Sequence, residues 1–411
     1  MPSFPIQLVR SQFPALSSSA VFLDNPGGTQ VSRPVIDAVS VAMAGAASNL
    51  GGQFKASNDA DAIWVHAHAA MAEMLGARSE REILLGQAMT MLTFHISRSL
   101  GRMWAAGDEI IVTRMDHEGN VAPWVRLAED HGFTIRWLAF NRDSWRIEPE
   151  DLAPLLNDRT RLLALNYASN LTGSINPVAE LTRLAKSAGA LVYVDGVQAV
   201  PHVRADVQAL GCDFLACSSY KFFGPHLGVL WGREELLSEL YPYAPRCATL
   251  VPPGRHELGT PQTELFAGLT AAVDYFVWLG EQVGASGTRS ARIAAAYDAA
   301  TAYEMPIGQI LIDELRRIPG VTVHGITDAG KQGQRVPTVS ITHPRQSSAA
   351  LAKALGDQGI NVWSGHNYAF ELTRYIGLDE NDGVLRIGLA HYNTSDEVER
   401  VLGAIKPLLK H

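Results

Sequence analysis

The chain has 411 residues, 47% of them hydrophobic and 18% charged, which is the composition of a globular protein with two or three domains. No apolar run approaches the roughly 20 residues of a membrane-spanning helix, and a formal net charge of -8 excludes the basic surface typical of nucleic-acid-binding proteins. We therefore expect a small-molecule ligand, with neither a membrane nor a nucleic acid as partner.

Residues 1–16 contain no continuous apolar stretch after a basic start and no small-residue cleavage site, so we expect no secretory signal and a cytoplasmic location. The three cysteines, Cys212, Cys217 and Cys247, are an odd and sparse set without metal-ligand spacing. We expect them to be small buried hydrophobes, with no disulfide framework and no metal site.

Short β-rich runs alternate with helix-length segments between residues 80 and 232. The runs are EILLG, EIIVTR, FTIRWLAF, RLLALNY, ALVYVDG and DFLACSS. This alternation is typical of βαβ units and a largely parallel sheet covered by helices on both faces. A further run, HLGVLWG, follows after a tight Gly-Pro turn that is too short for a crossover helix, so it predicts an antiparallel strand of the same sheet.

Helical segments continue to about residue 280 and are interrupted by a Pro/Gly-rich stretch, APRCATLVPPGRHELGTPQ, which predicts a long loop. A second unit starts near residue 285 with a long helix, followed by short strands and a final amphipathic helix. We therefore predict a large domain over residues 17–283 and a smaller domain that combines residues 284–411 with residues 1–16.

An acid and a lysine follow neighbouring strands of the predicted sheet. Asp195 ends the apolar strand ALVYVDG, and Lys221 stands just past the next strand, in the turn YKFFGP. Because open α/β folds bind ligands at the carboxyl ends of parallel strands, the two side chains should share one crevice. Pyridoxal phosphate requires such a pair, an amine for an imine and a carboxylate for the pyridine nitrogen. Individually, a strand-terminal Asp is often a helix cap and a turn Lys is often only solvated.

A phosphate pocket is indicated where LLGQAMTMLTF supplies a strand, Gly86 and then a helix whose first N–H groups can face an anion. Thr90, Ser218 and Tyr220 would add hydroxyl groups. His117 lies just past the strand EIIVTR, at the same sheet edge, where it can be a platform for the cofactor ring or simply a capping histidine.

Seven motifs, spread in order from about residue 20 to 400, carry a resemblance to a known family. They are LDNPGGTQ, MDHEGNVAPW, ASNLTG, VDGVQAVPH, SSYKFFGPHLGVL, GTPQ and RIGLAHYNT. Together they resemble the class V aminotransferase family of fold type I pyridoxal-phosphate enzymes, in particular its branch of group II cysteine desulfurases and selenocysteine lyases. Within that branch the chain is similar to the cysteine desulfurase-like subgroup that lacks the nucleophilic cysteine.

The resemblance implies how the cofactor ring would be held. Lys221 would form the Schiff base, Asp195 would pair with the ring nitrogen, and His117 would stack on the ring. Asn170 and Gln198 would bond the phenolic oxygen of the cofactor.

The resemblance also implies a phosphate site shared between two subunits. The backbone of Ala88 and Met89 and the hydroxyl groups of Ser218 and Tyr220 would hold the phosphate, and Thr260 would reach it from the other subunit of a homodimer.

The substrate would be a small amino acid, and Arg386 would bind its α-carboxylate as a bidentate fork. Two positions depart from the desulfurase pattern. Tyr220 stands where the desulfurases have a phosphate-binding histidine, and Tyr368, in the loop SGHNYAFEL, stands where they carry the nucleophilic cysteine. A phenol with a pKa near 10 cannot accept sulfur as a thiolate does, so we expect no persulfide route.

The sequence thus predicts an α/β protein of fold type I, with a mostly parallel seven-stranded sheet in the large domain and a smaller C-terminal α/β domain. It predicts a pyridoxal-phosphate lyase in which Lys221 removes the α-hydrogen and β-elimination follows, with Tyr368 or His366 as acid for the leaving group. Epimerisation or racemisation, transamination, and a non-catalytic protein that has kept the cofactor fold are the alternatives.

Overall fold

The computed structural model describes residues 4–409, which form fourteen α-helices and thirteen β-strands. The helices are α1 (Ile6–Ser11), α2 (Arg33–Gly45), α3 (Lys55–Leu75), α4 (Met89–Gly101), α5 (Ala122–His131), α6 (Pro149–Leu152), α7 (Val178–Ser187), α8 (Val207–Leu210), α9 (Glu234–Glu239), α10 (Thr263–Gln282), α11 (Arg289–Arg316), α12 (Ser348–Gly356), α13 (Phe370–Tyr375) and α14 (Ser395–Leu408). The strands are β1 (Val21–Phe22), β2 (Ile83–Gly86), β3 (Glu109–Thr113), β4 (Thr134–Leu138), β5 (Thr160–Asn166), β6 (Leu191–Asp195), β7 (Phe214–Ser218), β8 (Gly228–Gly232), β9 (Thr322–His324), β10 (Thr338–Thr342), β11 (Ile360–Asn361), β12 (Trp363–Gly365) and β13 (Val384–Gly388).

The large sheet has seven strands in the order β2-β8-β7-β6-β5-β3-β4. Every pairing among β7, β6, β5, β3 and β4 is parallel, whereas β8 runs antiparallel to both of its neighbours. The predicted α/β fold with a mostly parallel seven-stranded sheet is therefore confirmed, and so is the antiparallel strand that follows the Gly-Pro turn.

Both faces of this sheet are buried because alternate residues of each central strand enter different apolar cores. In β5, Leu163 and Leu165 belong to one core, while Leu162 and Ala164 belong to the core on the opposite face. Such two-sided burial explains why these strands read as continuous apolar runs in the sequence. The polar residues that end the runs are left at one edge of the sheet.

A four-stranded antiparallel sheet, in the order β12-β13-β10-β9, forms the C-terminal layer, and β1 pairs with β11 beside it. The predicted long helix is α11, whose apolar residues are divided between two cores. Tyr297 packs in the core of the large sheet, whereas Leu311 packs with Leu385 in the C-terminal core. The N-terminal segment also contacts both layers, since Phe13 lies in the large core and Arg10 pairs with Glu397 at 3.0 Å.

The predicted long loop is present between α9 and α10, and the carboxylate of Glu257 is one of the groups that anchor it to the body of the protein. Glu257 accepts hydrogen bonds from Trp64 Nε1 at 3.0 Å, from His68 Nε2 at 2.7 Å and from the backbone N–H of Leu85 at 2.7 Å. The anchor ties the loop to α3 and β2. None of the helices within residues 4–409 combines the length and hydropathy that crossing a bilayer requires.

Candidate active site

A cavity of about 290 Å³ lies at the carboxyl edge of the large sheet. Asn166, Asp195 and Ser218 end the adjacent strands β5, β6 and β7 there, and Lys221 follows Ser218 within one turn of 3-10 helix. The sequence-predicted site residues that line the cavity are Ala88, Met89, Thr90, His117, Asn170, Asp195, Gln198, Ser218, Tyr220, Lys221, Tyr368 and Arg386. Strand ends and the loops behind them thus bring together residues that span almost 300 positions of the chain.

Lys221 is buried, and its amine has no carboxylate within hydrogen-bond distance among the described residues. Nζ donates a hydrogen bond to the carbonyl oxygen of Pro26 and lies 5.0 Å from the centroid of the Tyr220 ring. Burial, with the neighbouring charge of Arg386, lowers the pKa of Lys221 from 10.5 to about 7. The amine is therefore close to half neutral near pH 7.

Asp195 is buried at the end of β6, where Oδ1 accepts a hydrogen bond from the backbone N–H of Val197 at 2.9 Å. Burial raises the pKa of Asp195 to about 6, although the hydrogen bond and the charge of Lys221 oppose the shift. Asp116 lies behind it, fully buried, and burial followed by repulsion from Asp195 raises the pKa of Asp116 well above its usual range. A cationic group next to Asp195 would be strongly favoured.

The N-terminus of α4 faces the cavity without a side-chain cap. Ala88 is the N-cap residue and the helix begins at Met89, so its first backbone N–H groups are available to an anion. Gly228 of β8 packs against this turn, since a Cβ added to it would stand 2.3 Å from the carbonyl carbon of Ala88. Because β8 fixes the turn in place, Ser218 and Thr90 remain beside it.

His117 caps a helical turn, as one interpretation of the sequence predicted, and it also lines the cavity. Nδ1 accepts a hydrogen bond from the N–H of Gly119 at 2.9 Å, and the ring lies 5.2 Å from the ring of Tyr368 at an interplanar angle of 25°. Burial, with the charges of Lys221 and Arg386, lowers the pKa of His117 to about 3. The imidazole is therefore neutral at physiological pH.

Arg386 projects from β13 and is almost completely buried. Nη2 donates to Asp24 Oδ1 at 2.9 Å and Nη1 donates to the carbonyl oxygen of Asn170 at 3.2 Å, while Nε has no partner among residues 4–409. Burial lowers the pKa of Arg386, and the carboxylate of Asp24 opposes that shift.

The two amide side chains that the sequence predicted for the site, Asn170 and Gln198, each donate a hydrogen bond within the chain. Asn170 Nδ2 donates to the carbonyl oxygen of Asn367 at 2.7 Å, whereas its Oδ1 is buried without a partner in the described part of the chain. Gln198 Nε2 donates to Thr338 Oγ1 at 3.1 Å. These bonds join the large sheet to the loop of Tyr368 and to β10.

Tyr368 lies at the mouth of the cavity on a left-handed segment of backbone. Asn367 and Tyr368 have φ angles of 51° and 59°, and the carbonyl oxygen of Tyr368 accepts a hydrogen bond from the N–H of Glu118 at 2.7 Å. The Tyr368 side chain is 64% exposed. His366 does not line the cavity; its ring lies 6.1 Å from that of Tyr368.

Thr260 and the three cysteines lie outside this cavity. Thr260 and the exposed Cys247 line a second, larger cavity of about 1260 Å³ under the long loop. Cys212 and Cys217 are buried as predicted, and burial raises the pKa of each thiol far above its ordinary value. The prediction of a buried residue was wrong for Cys247, because the loop leaves that side chain in solvent.

Sequence reasoning quoted the motifs that contain Asp24 and Asp116 but assigned neither residue to the site. Both side chains are placed by long-range packing, Asp24 against Arg386 and Asp116 against Asn166. The sequence offered one local signal for each residue. Asp24 stands immediately before an Asn-Pro-Gly-Gly segment, and Asp116 stands immediately before His117.

Comparison with known proteins places the chain in one family over almost its whole length. The profile of the family described as "Aminotransferase class-V" matches residues 21–401. The aminotransferase-like protein FGM3 of Gibberella zeae is 34% identical, and a cysteine desulfurase of Serratia proteamaculans is 31% identical, each over 99% of both chains.

Solved structures of cysteine desulfurases also match the fold of this chain. The cysteine desulfurase CsdA of Escherichia coli superposes with a TM-score of 0.86 at 27% identity, over 99% of both chains. The cysteine desulfurase of Thermococcus onnurineus NA1 superposes with a TM-score of 0.88 at 25% identity, over 100% of this chain and 99% of that one. The predicted family is confirmed, and the chain belongs to the class V aminotransferases, which are pyridoxal-phosphate-dependent enzymes of fold type I.

Proposed function

We propose that this protein binds pyridoxal phosphate at Lys221 and catalyses β-elimination on a small amino acid, without a cysteine persulfide. The observation that carries the proposal is the content of the 290 Å³ cavity. It holds a buried amine, a buried acid and a buried guanidinium, and no cysteine lines it. Family membership makes the cofactor expected, and the lining residues decide which chemistry is supported.

The lining residues fit pyridoxal phosphate group by group. Lys221 supplies an amine for its aldehyde, Asp195 an acid for its pyridine nitrogen, and the first turn of α4 with Ser218 a set of donors for its phosphate. Two lining residues also have a buried polar atom without a partner among residues 4–409, Asn170 Oδ1 and Arg386 Nε, which supports a polar ligand at this site. When bound, the cofactor withdraws electrons from the α-carbon of the attached amino acid.

Arg386, Lys221 and His117 have the remaining roles in the proposed reaction. Arg386 binds the α-carboxylate and so fixes the orientation of the amino acid. Lys221 removes the α-proton, a task suited to an amine whose pKa burial has lowered to about 7. Neutral His117 covers the cofactor ring without adding a positive charge that would oppose ring protonation.

A persulfide route lacks a thiol at the site. Cys217 lies inside β7 with its side chain buried, Cys212 is also buried, and Cys247 lines the second cavity. The side chain at the cavity mouth is instead the phenol of Tyr368, which can donate a proton to a leaving group but cannot accept sulfur. His366, stacked edge-on against Tyr368, is the second candidate acid.

We also propose a homodimer with a shared active site. Thr260 lies in the loop that Glu257 anchors, beside the 1260 Å³ cavity, and not in the smaller cavity of its own chain. Exposed apolar side chains line the larger cavity, namely Leu50, Val65, Met91, Val251 and Leu258. A contiguous exposed apolar surface of this kind favours association with a second copy, from which Thr260 would reach the phosphate.

Transamination is the second candidate, because the relative of 34% identity is an aminotransferase-like protein. It would use Lys221, Asp195 and Arg386 in the same positions. The two reactions differ in what happens after proton removal, so product analysis separates them.

The proposed reaction predicts a specific product pattern from an amino-acid panel. Holo-protein incubated with L-serine, S-alkyl-cysteines and β-chloroalanine should release pyruvate and ammonia in equal amounts without an added keto acid, and L-cysteine should be a poor substrate. Lys221→Ala and Asp195→Ala should each lower the rate by about a hundred-fold or more. Keto acid formed only when a second keto acid is supplied would establish transamination, inverted substrate would establish racemisation, and no turnover would indicate a non-catalytic protein.

The pKa of Lys221 predicts the pH profile of cofactor attachment. The amine must be neutral to react with an aldehyde, and burial lowers its pKa to about 7, so the neutral fraction rises through pH 7 and is complete near pH 8. The rate of absorbance change on adding pyridoxal phosphate to apo-protein should rise and level off over that range. Lys353→Ala, at an exposed lysine, serves as the control, and a rate still rising at about pH 9 would show an ordinary lysine.

Two conservative substitutions test whether the phenol of Tyr368 or the thiol of Cys247 takes part in the reaction. Tyr368→Phe should reduce elimination by about a hundred-fold if the phenol protonates the leaving group, whereas Cys247→Ser should retain most activity. Tyr243→Phe removes an exposed phenol elsewhere and serves as the control. Steady-state rates on the best substrate of the panel measure these effects. Inactive Cys247→Ser together with a persulfide trapped on wild-type protein would restore the desulfurase reaction.

A further inference from the structure

Arg386 already has a carboxylate partner within the chain. Its Nη2 donates to Asp24 Oδ1 at 2.9 Å and its Nη1 to the carbonyl oxygen of Asn170 at 3.2 Å, while Nε has no partner among residues 4–409. A bidentate fork to another carboxylate uses Nη2 together with Nη1 or with Nε. An incoming carboxylate therefore has to share Nη2 with Asp24 or replace it, and the two carboxylates carry the same charge.

The backbone of Asp24 is fixed beside Arg386 by strand pairing. Asp24 forms a parallel bridge with Gly388, whose N–H donates to the carbonyl oxygen of Leu23 at 2.7 Å, and Asn25 Nδ2 donates to the carbonyl oxygen of Gly388 at 2.8 Å. The Asp24 carboxylate folds back over Gly27, because a Cβ added there would stand 2.2 Å from Asp24 Oδ2. Glycine at position 27 thus makes room for this carboxylate next to the guanidinium.

The two partners of the ion pair differ in their access to water. The side chain of Arg386 is 5% exposed, whereas that of Asp24 is 22% exposed. Arg386 cannot be left without a counter-ion, because an unpaired buried charge is strongly unfavourable. Asp24, in contrast, can regain water by rotating away from the guanidinium, so it is the partner that can leave.

The neighbouring charges make the exchange selective for anions. Lys221 and Arg386 are the cations that line the cavity within residues 4–409, and Asp24 and Asp195 are the acids. Asp195 is at the ring-nitrogen end, hydrogen-bonded to Val197 N–H and not to Arg386. Asp24 is thus the acid whose release uncovers positive charge at Arg386.

Resting on the proposed role of Arg386 as the carboxylate site, we infer that Asp24 is an exchangeable counter-ion of Arg386 that the substrate carboxylate displaces. Asp24 keeps the guanidinium neutralised and oriented before a substrate binds, and it sets substrate affinity by competing for Nη2. It is therefore a positioning residue that acts through Arg386.

The test uses propionate, which has a carboxylate but no amino group, titrated calorimetrically into holoenzyme. Asp24→Asn keeps the shape of the side chain but removes its charge, so we expect propionate to bind about tenfold more tightly, which corresponds to ~1.4 kcal/mol. KM for the best substrate of the panel should fall by a similar factor. A purely structural role of Asp24 would lower thermal stability and leave propionate affinity unchanged or weaker.

Asp357→Asn is the matched control, because Asp357 forms an exposed ion pair with Lys353 at 2.6 Å in the C-terminal layer, and it should bind propionate as wild type does. Asp24→Ser is the second variant should Asp24→Asn not fold, and it should also tighten binding. Arg386→Gln should abolish binding.

Unchanged or weaker propionate affinity in the Asp24 variants, with binding abolished in Arg386→Gln, would overturn the inference and leave the carboxylate site of Arg386 standing. Propionate binding that survives in Arg386→Gln would overturn the role of Arg386 and the inference with it.

Discussion

Burial of opposite charges in one small cavity is the constraint on which the rest of the site depends. Lys221, Asp195 and Arg386 are each nearly inaccessible to water, and burial moves the pKa of all three towards the neutral form. Within residues 4–409, hydrogen bonds from the chain satisfy only part of their capacity. Buried charges that the chain satisfies only in part favour a ligand of complementary charge, and the proposed cofactor and substrate have that charge.

The parallel sheet makes this arrangement possible. Strands buried on both faces and paired with their neighbours fix the position of their ends, so Asp195 and the turn that carries Lys221 are presented side by side. The C-terminal layer then closes the cavity with Arg386 and Tyr368. Left-handed backbone at Tyr368 is uncommon for a bulky residue, and the hydrogen bond from Glu118 to its carbonyl oxygen helps to hold it there.

Local patterns in the sequence were sufficient for the large sheet and for the residues at its edge. Apolar runs such as LLALN and LVYVD indicate strands that are buried on both faces. The polar residue that ends each run, Asn166 or Asp195, lines the cavity. Sequence position could not reveal the pairing of Asp24 with Arg386, because 362 residues separate them and the contact depends on a bridge between Asp24, just past β1, and Gly388 at the end of β13. The exposure of Cys247 was also beyond prediction, since it depends on the path of the long loop, which no local pattern in the sequence specifies.

The central claim is that Lys221 carries the cofactor, and borohydride reduction of the holo-protein followed by peptide mass spectrometry tests it most directly. The account predicts one phosphopyridoxyl label, on the peptide that contains Lys221, because burial keeps that amine about half neutral near pH 7 in the cavity that Asp195 also lines. A label on another lysine, or no stable label in a protein that has bound the cofactor, would contradict it.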